Sequence, residues 1–248
     1  MPENPKIHAG RADGTAWRMP AGFSRRPQRI SEFRWLTWTV AVIAFCTAVM
    51  ALTAILVPGI RGVLLREDGI VETGSVICLA GAVLGAGSAS VAWGPRLPFV
   101  LAGFLGLVEL LDETSFGARL LGFQPPPLHG GGELDGFHDL LILAYRLLAD
   151  VSPGLGLLWV GLIAGASIAL MLVALRLAKR AGWGAGPGLS RYALLFLHVG
   201  LIGLAQAVDV ATSSRALSAL EEALEFNAAL VLLVYVVQQS LEAARTRL

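Results

Sequence analysis

Between Glu109 and Asp139 the chain concentrates groups able to bind a cation, move a proton or attack an ester: Glu109, Asp112, Glu113, Ser115, Arg119, Glu133, Asp135, His138 and Asp139. They follow an apolar run that opens at Leu97, so the first of them sit at or near membrane depth. A carboxylate there is costly unless it is paired, metal-bound or facing water, which makes a functional site the default reading. Asp68 and Glu72, Glu109 and Glu113, and Glu221 and Glu225 are each four residues apart, so each pair shares a helix face with Cβ atoms roughly 5 to 6 Å apart. Like charges so placed repel, and one member stays protonated, bridges to an arginine or binds a cation. Arg66, Arg119 and Arg215 are the counter-charges in sequence, and Arg119 can fork onto a carboxylate through two parallel hydrogen bonds.

The helix dipole separates these clusters. Glu67, Asp68 and Glu72, like Glu221, Glu222 and Glu225, open predicted helices, where acids are favoured in any case. Glu109, Asp112 and Glu113 close one, where the dipole disfavours them, and they need another cause. The expected metal site is therefore Glu72, Asp112, Glu113 and His138, with Glu113, His138 and Ser115 as the expected catalytic groups. Carboxylate-rich ligation favours Mg, Ca or Mn, and a histidine among acids also admits Zn. Such an ion polarises an ester or phosphate oxygen, or the attacking water. Asp68, Glu109, Arg119, Glu133, Asp139, His198, Asp209, Glu222 and Glu225 complete the expected surroundings. His198, in the middle of an apolar span, reads either as a hydrogen-bonded core histidine or as a ligand or proton relay with Asp209. Ser115 as a nucleophile lacks a histidine close to it in sequence, and His8 and His129 read as inert.

Composition says what must position these groups. The chain is 55% hydrophobic and 15% charged, with mean hydropathy +0.68, against roughly 25% charge in an ordinary soluble domain. An all-α integral membrane protein follows, a bundle of about six transmembrane helices. The 248 residues leave no room for a separate soluble domain. The spans are expected near residues 35–57, 73–93, 97–116, 154–175, 192–210 and 223–238. Residues 1–34, polar and basic, read as a disordered cytoplasmic arm. Residues 117–150 read as an outer loop with an amphipathic helix from Asp135 to Asp150, able to lid the acids and bring His138 near Glu113. Cys46 and Cys78 fall inside apolar runs and support no disulfide framework.

With both termini inside, fourteen of the nineteen basic residues fall on the inner side, which predicts a cytoplasmic (inner) membrane protein with both termini cytoplasmic. Fourteen of the eighteen acids fall on the outer side. Acids contribute little to orientation, so this second bias points to a shared acidic site. The partners expected are the lipid bilayer, a lipid or small-molecule substrate and other membrane subunits. No nucleic acid is expected, since no aromatic or RNA-module pattern accompanies the charge.

Three stretches carry a resemblance: Glu67-Asp68-Gly69-Ile70-Val71-Glu72, the run from Asp112-Glu113-Thr114-Ser115-Phe116-Gly117-Ala118-Arg119 to Gly122, and Gly132-Glu133 followed by Phe137-His138-Asp139. Together they resemble an uncharacterised family of prokaryotic polytopic membrane proteins with the pattern E-D-G-x-x-E, E-E-x-S-W-G-Q-R-x-x-G and G-E-x-N-L-H-N. This chain departs from it at Asp112, Phe116, Ala118, Gly136 and Asp139. The resemblance covers residues 67–139 and implies a bacterial multi-pass membrane protein without supplying an activity. A fainter likeness, in Glu72-x-x-Ser75 and Leu111-Asp112-Glu113-x-Ser115, is to the alkaline ceramidase-type membrane hydrolases, whose late pair of zinc-binding histidines this chain lacks.

Three functions fit the sequence. One is a metal-dependent hydrolase or transferase acting on a lipid-type substrate at the outer leaflet. The second is a cation- or proton-coupled carrier or sensor. The third is a non-catalytic assembly subunit whose acids pair with arginines.

Overall fold

The computed structural model describes residues 26–56, 69–182, 191–211 and 215–247. Asp68 therefore lies outside the described residues, as do Glu67, Arg61, Arg66 and the arm before Arg26. The described chain forms α1 (Arg26–Leu56), α2 (Ile70–Trp93), α3 (Leu97–Glu113), a 3-10 turn (Ser115–Gly117), α4 (Ala118–Leu121), α5 (His138–Val151), α6 (Pro153–Gly182), α7 (Ala193–Ala211) and α8 (Arg215–Arg245). No strand occurs among the described residues. A single bridge between Pro127 and Glu133 closes the loop before α5.

Helices occupy the described parts of the six expected spans, and among the described residues three helices are long and apolar enough to cross a membrane: Ile70–Trp93, Pro153–Leu177 and Ala193–Ala211. Their outer faces carry large exposed apolar side chains, such as Ile77, Leu84 and Val91 on α2 and Leu157, Leu158 and Leu162 on α6. Contiguous apolar surface of that kind belongs against lipid or another apolar partner rather than water. Two boundaries correct the sequence reading. Helix α1 starts at Arg26 instead of after residue 34, because Pro27 suits a first helical turn and Arg, Gln and Glu propagate helix well. Helix α3 stops at Glu113 instead of running to Phe116.

Helix α8 is the axis of the bundle, packing against α7, α2, α1 and α3. Its Ala228, Ala229, Val231, Leu232, Tyr235 and Val236 are all buried, and alanines at two of these positions let neighbouring backbones approach. Gly200 allows a close contact between α6 and α7: a Cβ there would lie 2.6 Å from Met171 Cγ and 3.0 Å from the Ser167 carbonyl. The α3 to α5 segment, the end of α7 and the first turns of α8 lie at one end of this bundle, where the acids collect.

Candidate functional site

The site begins where α3 ends. Ser115 and Phe116 adopt φ of 51° and 52°, and Gly117 follows at 82°. The left-handed region costs a non-glycine residue about 1 to 2 kcal/mol, and two in succession at a cluster of ionisable groups mark a place where the surroundings enforce the turn. Two contacts do so. The Phe116 ring meets Phe137 edge-on with centroids 4.7 Å apart, and Ser115 Oγ donates to Asp135 Oδ2 at 3.3 Å.

Asp112 joins the two halves of this region. Its Oδ1 accepts the backbone N–H of Phe137 and of His138, the latter at 3.3 Å, so a residue at the end of α3 caps the start of α5. The sequence argument that a carboxylate is misplaced at the end of α3 is answered here, because the N-terminal dipole of α5 supplies the complementary charge. Asp112 Oδ2 lies 3.1 Å from His138 Nδ1. An ionised carboxylate only accepts, so Nδ1 carries the hydrogen and Nε2 faces Asp139 Oδ1 at 3.6 Å. The other oxygen of Asp139 accepts the N–H groups of Asp135 at 2.8 Å and Gly136 at 3.0 Å. Gly136 has no alternative, since a Cβ there would fall on the Asp112 carboxylate and the His138 ring.

Asp135, His138 and Asp139 thereby each offer one ligand atom, all within 4.8 Å of one another. An imidazole held from behind by a carboxylate, with its second nitrogen facing another, is the arrangement in which histidine ligates metals. The electrostatics agree with the geometry. Burial works against charge on His138, but the hydrogen bond it donates to Asp112 and the charges of Asp112, Asp139 and Asp209 outweigh it and raise its pKa to about 9. Burial, and then the neighbouring Asp139 carboxylate, push Asp135 up, partly opposed by His138 and Ser115. Two carboxylates this close call for a proton or a cation between them.

Beneath this triad lies a second layer of acids. Glu113 is near enough to Glu72, Glu222, Asp112 and Glu109 for their charges to interact. Glu225 in turn faces Glu113, Glu221, Glu222 and Asp112, and accepts from Gln206 Nε2 at 3.2 Å. Asp209 at the end of α7 acts on His138 and Glu221. Deeper still, the fully buried His198 places Nε2 2.8 Å from Glu109 Oε1 and Nδ1 2.9 Å from the Ala228 carbonyl. This corrects the expected pairing of His198 with Asp209, which lies three turns further along α7.

Most expected site residues thus gather towards one end, Glu72, Glu109, Asp112, Glu113, Ser115, His138, Asp139, Asp209, Glu222 and Glu225, with His198 deeper in the bundle against Glu109. Glu133 does not; it is exposed and contacts Gln124 at 3.4 Å. The Arg119 side chain lies outside the described residues. The ligand atoms that converge are those of Asp135, His138 and Asp139, with Asp112 behind His138, whereas the expected set was Glu72, Asp112, Glu113 and His138. Asp135 was legible in the spacing Asp135-x-x-His138-Asp139, which sets three donors around the first turn of a helix. Gln206 and the Ala228 carbonyl carried no comparable signal. His129, read as inert, pairs with Asp150 at 2.9 Å, and Arg146 Nη1 donates to the His129 carbonyl at 2.7 Å, so the glycine-rich loop is tied to α5.

Fold and site together define an all-helical protein with helices long and apolar enough to cross a membrane and a histidine–carboxylate cluster that could hold a metal ion. No protein-family model, curated protein or solved structure matches the chain.

Proposed function

We propose that the chain is a metal-dependent hydrolase or transferase acting on a lipid or lipid-linked substrate at the outer leaflet of a bacterial inner membrane. The observation that carries this reading is the convergence of Asp135, His138 and Asp139 within 4.8 Å beside a hydroxyl on a left-handed turn, that of Ser115. Asp135, His138 and Asp139 hold the ion, Mg, Ca, Mn or Zn, and Asp112 orients His138. When bound, the ion supplies Lewis acidity to an ester or phosphoryl oxygen or lowers the pKa of water. The protein's own part is positional. Ser115 Oγ donates to Asp135 and so sits at the edge of the ligand set, where it either orients that carboxylate or meets the substrate. The exposed apolar residues Leu140, Leu147 and Val151 of α5 suit a helix in the membrane interface, over which a lipid chain enters.

The remaining parts of the proposal are a six-span bundle, both termini cytoplasmic, and membership of the membrane family that residues 67–139 resemble. The excess of basic residues on the inner segments favours that orientation. Hydrolysis of lipid esters and phosphodiesters in mixed micelles tests the activity. Turnover stopped by chelation, restored by a divalent ion and reduced about a hundredfold or more in His138→Ala supports the reading; turnover indifferent to chelator and to this substitution contradicts it.

A cation- or proton-coupled carrier is the second reading, favoured by the Glu109–His198 pair inside the bundle, which an enzyme open to water does not need. Metal-driven flux in proteoliposomes without lipid turnover would favour it over hydrolysis.

A further inference from the structure

The three ligands at the mouth are not held alike. His138 and Asp139 stand in the first turn of α5, which fixes their backbone, and Asp112 clamps the His138 ring at 3.1 Å. Asp135 precedes the helix. Its N–H donates to Asp139 Oδ2 at 2.8 Å, and its carboxylate accepts from Ser115 Oγ at 3.3 Å, longer than a hydroxyl donor usually makes. A ligand carried on a loop is placed less sharply than one on a helix unless something further out holds the loop.

The chain leading to Asp135 is built as such a support. The N–H of Leu134 donates to the Pro126 carbonyl at 2.7 Å, that of Leu128 to the Gly132 carbonyl at 3.0 Å and that of Gly131 to the Leu128 carbonyl at 3.1 Å. Pro127 and Glu133 pair in an antiparallel bridge, and Leu128 is buried, so residues 126–134 form a folded unit rather than an open connector. At its tip the carbonyls of His129 and Gly131 converge on one atom. Arg146, two turns into α5, donates from Nη1 to both, at 2.7 Å and 2.5 Å. That nitrogen carries two hydrogens, one for each carbonyl, and the guanidinium charge strengthens both bonds. The His129 ring adds an exposed tie to the same helix, with Nε2 2.9 Å from Asp150 Oδ2.

The return limb from Gly131 to Asp135 is short, with a reach of at most about 14 Å, and the Leu134 hydrogen bond closes the loop next to the ligand. A tip pinned to α5 therefore holds Asp135 against the helix that carries the other two ligands. Without the pin, the loop keeps its own hydrogen bonds but shifts as a unit, and Asp135 shifts with it.

We infer that Arg146 is a positioning residue for the mouth: by holding the His129 and Gly131 carbonyls it locks the loop onto α5 and sets Asp135 against His138 and Asp139. The consequence for metal affinity rests on the metal-binding reading of this cluster; the placement of Asp135 does not. The sign of the effect separates this role from that of a nearby charge. A guanidinium repels a cation, so loss of the charge alone raises divalent affinity, whereas loss of the support lowers it.

The test uses the full chain in lipid nanodiscs. With chelator present, amide hydrogen exchange in Arg146→Ala is expected to be faster by about tenfold or more at Asp135 and Gly136, with Leu232 and Val236 in the core of α8 unchanged. Calorimetric titration with manganese(II) is expected to show affinity lowered about tenfold in the same variant. Gly130→Ala places a Cβ 3.1 Å from Arg146 Cδ at a positive φ and leaves every charge in place; it is expected to change both readouts in the same direction, and it carries the test if Arg146→Ala does not fold. Unchanged exchange at Asp135, faster exchange throughout the protein, or an affinity that is equal or higher would overturn the inference. A wild type that binds no manganese contradicts the metal reading instead, and the exchange at Asp135 then decides the positioning by itself.

Discussion

Two histidines, each against a carboxylate of α3, stand in opposite situations. His138 at the mouth is held by Asp112 on one nitrogen and faces Asp139 with the other, within a network of backbone N–H groups and Ser115. His198 at the base is enclosed by helices, with the Ala228 carbonyl and Glu109 at its ring. The first arrangement is short-range: Asp135, Gly136, His138 and Asp139 are neighbours in sequence, and the turn after α3 brings Asp112 and Ser115 to them. The second is assembled wholly by packing of α3, α7 and α8. A site built on a turn can exchange ligands with solvent. A pair sealed between helices can exchange only protons or small ions.

The largest effect is expected at the base. His198→Leu leaves Glu109 without its partner in a buried position and should destabilise the protein by about 3 to 5 kcal/mol, whereas replacing both residues by apolar ones should be close to neutral. Denaturation of the two variants in the same detergent checks this. If single and double variants behave alike, the two residues do not interact.

At the mouth, Asp112→Asn keeps the shape but weakens the hold on Nδ1 of His138. Losing such an orienting partner should lower divalent metal affinity about 10- to 100-fold, with the Glu109–His198 pair unaffected. Metal titration by calorimetry reads this out. Gly136→Ala drives a methyl group into the Asp112 carboxylate and the His138 ring; the expected cost is about 1 to 3 kcal/mol of stability together with loss of metal binding. Gly200→Ala, tight against Met171 and the Ser167 carbonyl, should cost a similar amount while leaving metal binding intact, which separates packing from site.

The pH dependence sharpens the comparison further. His138 has its pKa raised to about 9, above its ordinary value, so its protonated form stabilises the metal-free fold. That contribution is complete below the ordinary histidine range, roughly pH 6.5, and is lost as pH rises through about 9. A metal competes with the same proton, so divalent affinity should climb with pH and level off above about 9. An affinity flat between neutrality and that pH would remove His138 from the ligand set. The smallest effect is at the turn: Ser115→Gly removes a left-handed non-glycine residue and its hydrogen bond to Asp135, and the two changes, each about 1 kcal/mol, should nearly cancel in stability.

Much of this architecture was legible in the residues. Unbroken apolar runs marked the six long helices, and the amphipathic pattern from Asp135 to Asp150 marked α5, which begins three residues later at His138. The gathering of acids at one end followed from their positions at helix ends. Two things were out of reach. The reversal at Ser115 and Phe116 was hidden because neither residue favours positive φ, and only Gly117 hinted at it; an apolar Phe116 reads more naturally as one more residue of span. The pairing of Glu109 with His198 depends on how α3 and α7 rotate against α8, which hydropathy does not encode. Asp112 illustrates the same limit, since its role as a cap for α5 depends on a loop whose path the sequence leaves open.

The central claim is that Asp135, His138 and Asp139 hold a metal ion. Elemental analysis of the protein purified in detergent and dialysed against trace divalent metals tests it most directly. One equivalent per chain in the wild type, lost in His138→Ala and in Asp135→Asn and retained in Glu109→Gln, is the predicted result. A wild type free of metal, or metal retained in both mouth variants, would contradict it.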